Sequence, residues 1–106
     1  MSYNNLNEDH ERFCSVLEEA QILRRKKLQD YGISYNSFGS LGVCVQMENK
    51  MSRIKRLITM PQSNFESLRD SAIDLLNYSA MLVMELDKTA VKQRVLKENP
   101  DTPFSE

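Results

Sequence analysis

An all-α helix bundle is what this sequence predicts, and three observations carry it. Apolar residues recur at spacings of three and four along three long stretches; strand-like alternation is absent at any length; and Gly32 and Pro61 fall between those stretches. At 106 residues the chain is expected to be one domain, residues 1–98, ending in a disordered tail, residues 99–106. A three- or four-helix unit of this size buries a modest core, so a homo-oligomer is expected to complete it.

The first helix is expected to begin around Asn7, with Glu8 and Asp9 in its first turn, and to end near Asp30. Its apolar face reads Phe13, Leu17, Ala20, Leu23 and Leu28. The run Arg24 to Lys27 suits the C-terminal end of that helix, where the dipole favours cations. Next comes DYGISYNSFGS, a loop by its Gly, Ser and Asn content that also holds Tyr31, Tyr35 and Phe38. Aromatics in such a loop suit a lid or a stacking surface.

A second helix is expected from about Ser40 to Thr59, with Leu41, Cys44, Met47, Met51, Ile54 and Ile58 as its stripe. Ser63 and Glu66 have the spacing of a capping box, which starts the third helix near Asn64. That helix carries Phe65, Leu68, Ala72, Leu75, Leu76, Leu82, Val83 and Leu86 toward the expected core. Beyond Leu86 the segment DKTAVKQRVLKE either extends it or forms a short fourth helix, and Asn99-Pro100 stops it.

With 14 basic and 15 acidic residues the net charge is -1, which excludes nucleic-acid binding driven by bulk charge. The distribution is uneven: from Tyr31 to Met60, Glu48 stands alone against Lys50, Arg53, Lys55 and Arg56, so a basic second helix is expected to face an acidic third one. No apolar run has the 18 to 20 residues of a membrane span, and Cys14 and Cys44 lack a CxxC spacing or a signal peptide. A cytoplasmic protein with free thiols is the expectation. His10 is the one histidine, which leaves a structural zinc site and Ser-His or Cys-His catalysis without ligands or a base.

The most informative stretch is ESLRDSAIDLLNYSAMLVMEL. Asp70, Asp74 and Asn77 lie at i, i+4 and i+7, side by side on one helix face. That face continues into Met81 and Met84 instead of the Lys and Glu of a solvated surface, so it is expected to be covered. Two covered carboxylates one turn apart repel unless a cation offsets them, which points to a divalent metal. An ordinary solvated face with Asp70 near the helix N-terminus is the plainer alternative. If the chain is an enzyme, carboxylates and Mg²⁺ must carry the chemistry, with Glu48, Asp70 and Asp74 as the ligands; Glu18 and Glu19 are further candidates. Basic groups among Arg24 to Lys27, Lys50 and Arg53 would then take a substrate's phosphates.

In order, RRKKLQDYG, SFGSLGVCVQMENKMSRIKRL and ESLRDSAIDLLNYSAMLVMEL resemble the nucleotide-modification-associated domain 1 family of phages and bacteria. The matching residues are Asp30, Tyr31 and Gly32; Leu41 and Gly42; Glu48, Lys50 and Arg53; and Asp70, Asp74, Leu75, Asn77 and Tyr78, within a span of about Phe13 to Leu86. That family is similar in helical pattern to MazG-like all-α nucleotide pyrophosphohydrolases, which bind Mg²⁺ through ExxE and ExxD motifs. This chain departs from those motifs. Met51 stands where a second acid would follow Glu48, Ile22 where one would follow Glu19, and Arg69 where one would follow Glu66.

The resemblance implies a nucleotide-handling protein of phage nucleotide metabolism or base modification, located in the host cytoplasm. Its first form is a Mg²⁺-dependent pyrophosphohydrolase with Glu48, Asp70 and Asp74 on the metal. Lys50 and Arg53 would hold phosphates, Asn77 with Tyr31 or Tyr78 would read sugar or base, and Asp30 would also bind the ligand. Its second form binds a nucleotide without turnover, as a sequestering or regulatory protein. A helical protein-binding adaptor is the third reading, and none of the three involves a membrane or direct contact with nucleic acid.

Overall fold

The computed structural model describes residues 3–31, 39–60 and 65–98, which form three helices: α1 (Tyr3–Tyr31), α2 (Gly39–Ile58) and α3 (Phe65–Glu98). There is no strand among the described residues. Helix α1 begins four residues ahead of the expected Asn7, because nothing in Tyr3 to Leu6 breaks a helix. The ends of α2 fall within one residue of expectation, and its first residue, Gly39, has φ 67°, a conformation that costs little only in glycine.

Helix α3 starts at Phe65, one residue after the expected Asn64, with Glu66 in its first turn; Ser63, the other half of the capping box, lies outside the described residues. It then runs unbroken to Glu98, so DKTAVKQRVLKE extends α3 and does not form a fourth helix. That segment contains neither Gly nor Pro, and nothing local stops propagation before Pro100. Tyr35, Phe38 and the tail from Asn99 lie outside the described residues.

Helices α2 and α3 pack as an antiparallel hairpin. Stepping back three residues on α2, from Arg53 to Lys50, advances the partner on α3 by three, from Ser71 to Asp74. The same register sets Val43 opposite Met81, and both are buried. Ile54, Leu57 and Ile73 complete the core of this hairpin. Helix α1 crosses α3 at Ala20, which is 2% exposed.

Two expected stripes are displaced by part of a turn. On α2 the buried line is Val43, Ile54 and Leu57, whereas Leu41, Met51 and Ile58 are exposed and Cys44 and Met47 are half-buried. Apolar residues occupy more than half the circumference of α2, so spacing alone admits two overlapping stripes. On α3 the face carrying Ser71, Asp74, Asn77 and Met81 points inward, while Phe65, Ala72, Val83 and Leu86 of the expected core are exposed. Phe13 of α1 is likewise exposed.

Val43 is the most enclosed apolar side chain and Leu41, two residues away, the most open. Val43→Ala is therefore expected to lower unfolding free energy by about 2 kcal/mol, from the lost methyls and the cavity left behind. Leu41→Ala should change it by less than about 0.5 kcal/mol, and urea titration of both variants distinguishes the observed stripe from the other one.

Candidate functional site

Asp74 lies where the three helices meet. Its Oδ1 accepts a hydrogen bond from Lys27 Nζ of α1 at 2.7 Å, and its Oδ2 sits 2.9 Å from Lys50 Nζ of α2. The Asp74 side chain is 13% exposed, against 49% for Lys27 and 29% for Lys50. A carboxylate so enclosed keeps its charge only if opposite charges or donors replace water, and here two ammonium groups do so. Burial alone raises the Asp74 carboxyl pKa, but the hydrogen bonds and charges of Lys27 and Lys50 outweigh it and hold the group below its ordinary value.

One turn to either side the same face of α3 makes further cross-helix bonds. Asn77 is buried and donates from Nδ2 to the Ala20 carbonyl oxygen at 3.0 Å. Ser71, also buried, accepts from Arg53 Nε at 3.1 Å. Near the start of α3, Arg69 grips Glu19 with both terminal nitrogens, at 2.5 and 3.2 Å. The guanidinium hydrogen bond holds the Glu19 carboxyl below its ordinary value.

The face of Asp70, Asp74 and Asn77 is covered from Asp74 through Asn77 to Met81, whereas Asp70 at one end and Met84 at the other, which was expected to be covered, are exposed. Glu48 is exposed on α2 and Asp30 exposed at the end of α1, where Tyr31 is the last helical residue. Lys50 faces Asp74, Arg53 faces Ser71, and Tyr78 is half-buried. The expected facing of a basic α2 and an acidic α3 is thus represented by the single pair Lys50–Asp74, since Arg53 meets a serine and Lys55 and Arg56 are exposed.

No group of three His, Cys, Asp or Glu side chains that could hold a metal ion occurs among the described residues. Glu48, Asp70 and Asp74 therefore do not form a three-carboxylate site in this arrangement. Asp70 and Asp74, one turn apart on α3, are the pair that remains, and Mg²⁺ commonly takes only one or two carboxylates alongside a substrate's phosphates. Lys27 was legible only as a member of a basic run at the end of α1. Its pairing with a residue 47 positions away depends on how α1 crosses α3.

Cys14 and Cys44 are free thiols, the first exposed and 3.5 Å from His10 Nε2. No helix among the described residues is long and apolar enough to cross a membrane. Compared with protein-family models, curated proteins and solved structures, the chain has no match in any of the three.

Asp74→Ala leaves two ammonium groups facing each other without their acceptor and is expected to cost about 1–3 kcal/mol, whereas Lys27→Ala, with Lys50 still in place, costs about 0.5–1 kcal/mol. Chemical unfolding of the single and double variants measures this coupling. Because the Asp74 pKa is lower folded than unfolded, the folded state binds fewer protons across that interval. Its contribution is complete above about pH 4 and is lost as pH falls through the folded value, so Asp74→Asn should flatten the acid limb of a stability profile.

Proposed function

We propose that the chain binds a nucleotide, with phosphate oxygens taken by Lys27, Lys50 and Arg53 around Asp74. The observation that carries this reading is the convergence of two lysines, one from α1 and one from α2, on a single carboxylate. Three cations against Asp74 and the exposed Asp70 leave the junction positive, and Lys27 is open enough to turn toward an anion. Ammonium groups on flexible stems suit phosphate as point charges, and Arg53 adds a planar donor. The resemblance to the nucleotide-modification-associated domain 1 family supports the same ligand class and a place in phage nucleotide metabolism or base modification.

Binding without turnover is favoured because Asp74, the most enclosed of the three candidate ligands, is already neutralised by lysines. A Mg²⁺-dependent pyrophosphohydrolase is the second reading, favoured by the adjacency of Asp70 and Asp74. In that case a metal arriving with a triphosphate would take Asp70 and Asp74, and the displaced lysines would hold phosphate. Asn77 is committed to the Ala20 carbonyl, so recognition of sugar or base falls to Tyr78 or to Tyr31 at the end of α1.

A thermal-shift screen against nucleoside mono-, di- and triphosphates, each with and without Mg²⁺, tests the proposal. A ligand present at about 100 times its Kd stabilises the folded state by about 2.7 kcal/mol and raises Tm accordingly. Stabilisation without turnover that is lost in a Lys27→Ala/Lys50→Ala variant supports binding. Mg²⁺-dependent stabilisation with product formation replaces it by the hydrolase, and no shift with any nucleotide overturns both.

A further inference from the structure

Two helical arms extend beyond the packed part of the molecule. On α1 the cross-helix bonds come from Glu19, Ala20 and Lys27, so residues 5–18 form an arm of about 21 Å at 1.5 Å per residue. Residues 5–16 of it are exposed throughout. On α3 the register that sets Val43 opposite Met81 places Gly39, the first residue of α2, opposite Glu85. Residues 86–98 continue past it for about 20 Å.

Both arms carry exposed apolar side chains: Leu6, Phe13 (stacked on one side by the His10 ring) and Val16 on α1, and Leu86, Val91 and Leu96 on α3. On each helix the stripe that packs at the junction continues into the arm. Ala20 is followed toward the N-terminus by half-buried Leu17 and exposed Phe13, and Met81 toward the C-terminus by exposed Met84 and, beyond Lys88, by exposed Val91. The arms are also opposite in charge. Residues 5–18 hold Glu8, Asp9, Glu11 and Glu18 against Arg12, a net of -3, and residues 86–98 hold Lys88, Lys92, Arg94 and Lys97 against Asp87 and Glu98, a net of +2.

The accessible surface of 8705 Å² compares with about 6,100 Å² for a compact monomer of this mass. The radius of gyration of 18.3 Å compares with about 13 Å for a compact domain of 100 residues.

We propose that the chain forms a two-fold symmetric homodimer in which the acidic α1 arm of each copy lies against the basic α3 arm of the other. A single chain holds both halves of this interface, apolar stripe to apolar stripe and negative to positive. A two-fold axis therefore forms both arm pairs at once and leaves no bare arm to propagate a filament. Residues flanking the stripes set the pairing by charge, as opposite flanking charges do between paired helices.

Sedimentation equilibrium of the full chain over a wide concentration range tests this, with a mass twice 12.3 kDa expected. Lys92→Glu with Arg94→Glu, both exposed, should raise the dimer dissociation constant about tenfold or more while leaving helicity unchanged. Adding Asp9→Lys with Glu11→Lys in the same chain should restore association. Zero-length carbodiimide cross-linking of an equal mixture of ordinary and ¹⁵N-labelled protein then separates intermolecular from intramolecular arm contacts, because only the former yield mixed-isotope peptides. A monomer at all concentrations, arm cross-links confined to single chains, or association unaffected by the arm charges overturns the proposal.

Discussion

The arrangement of the three helices depends on one carboxylate. Asp74 is the residue that bonds to both of the other helices, through Lys27 on α1 and Lys50 on α2. An Asp in that position is unfavourable by itself, since most of its side chain is removed from water. With two ammonium groups it becomes a directional link that apolar packing cannot supply, because dispersion contacts tolerate rotation and sliding whereas three hydrogen-bonding groups do not. Lys27 and Lys50 keep partial access to water, which limits their own desolvation.

The rest of the junction follows from that link. With Asp74 inward, Asn77 and Ser71 are carried inward on the same face of α3. Each then needs a polar partner, found in the Ala20 carbonyl and Arg53 Nε. Ala20 is small enough to let α1 approach closely at the crossing. The result is a polar seam in place of a continuous apolar core between α1 and α3. The apolar core itself belongs to the α2–α3 hairpin, around Val43, Ile54, Leu57, Ile73 and Met81.

This division of labour bears on both proposals. The proposed nucleotide site uses the junction, where Lys27 and Lys50 converge on Asp74 and keep partial access to water. The long arms of α1 and α3 contribute little to the folded monomer, and their apolar side chains remain in water. Binding a nucleotide at the junction and pairing the arms draw on different residues, so each stands or falls without the other.

Much of the helical layout was legible in the residues themselves. The ends of α2, the start of α3 and the end of α1 follow from local signals, Gly, Pro and a capping-box spacing, that act within a few residues. The covered character of the Asp74 face was legible as far as Met81, which continues it where a solvated helix would carry charge; Met84, read the same way, is exposed because α2 begins at Gly39 and covers little beyond it. Which apolar stripe turns inward was not: α2 and α3 are apolar over so much of their circumference that periodicity admits more than one solution, and only packing against a neighbour selects Val43 over Leu41. The partners of Asp74 were likewise beyond local reading. A carboxylate in need of a cation can be recognised from sequence, but whether that cation is a metal or two lysines is decided by which helices cross beside it.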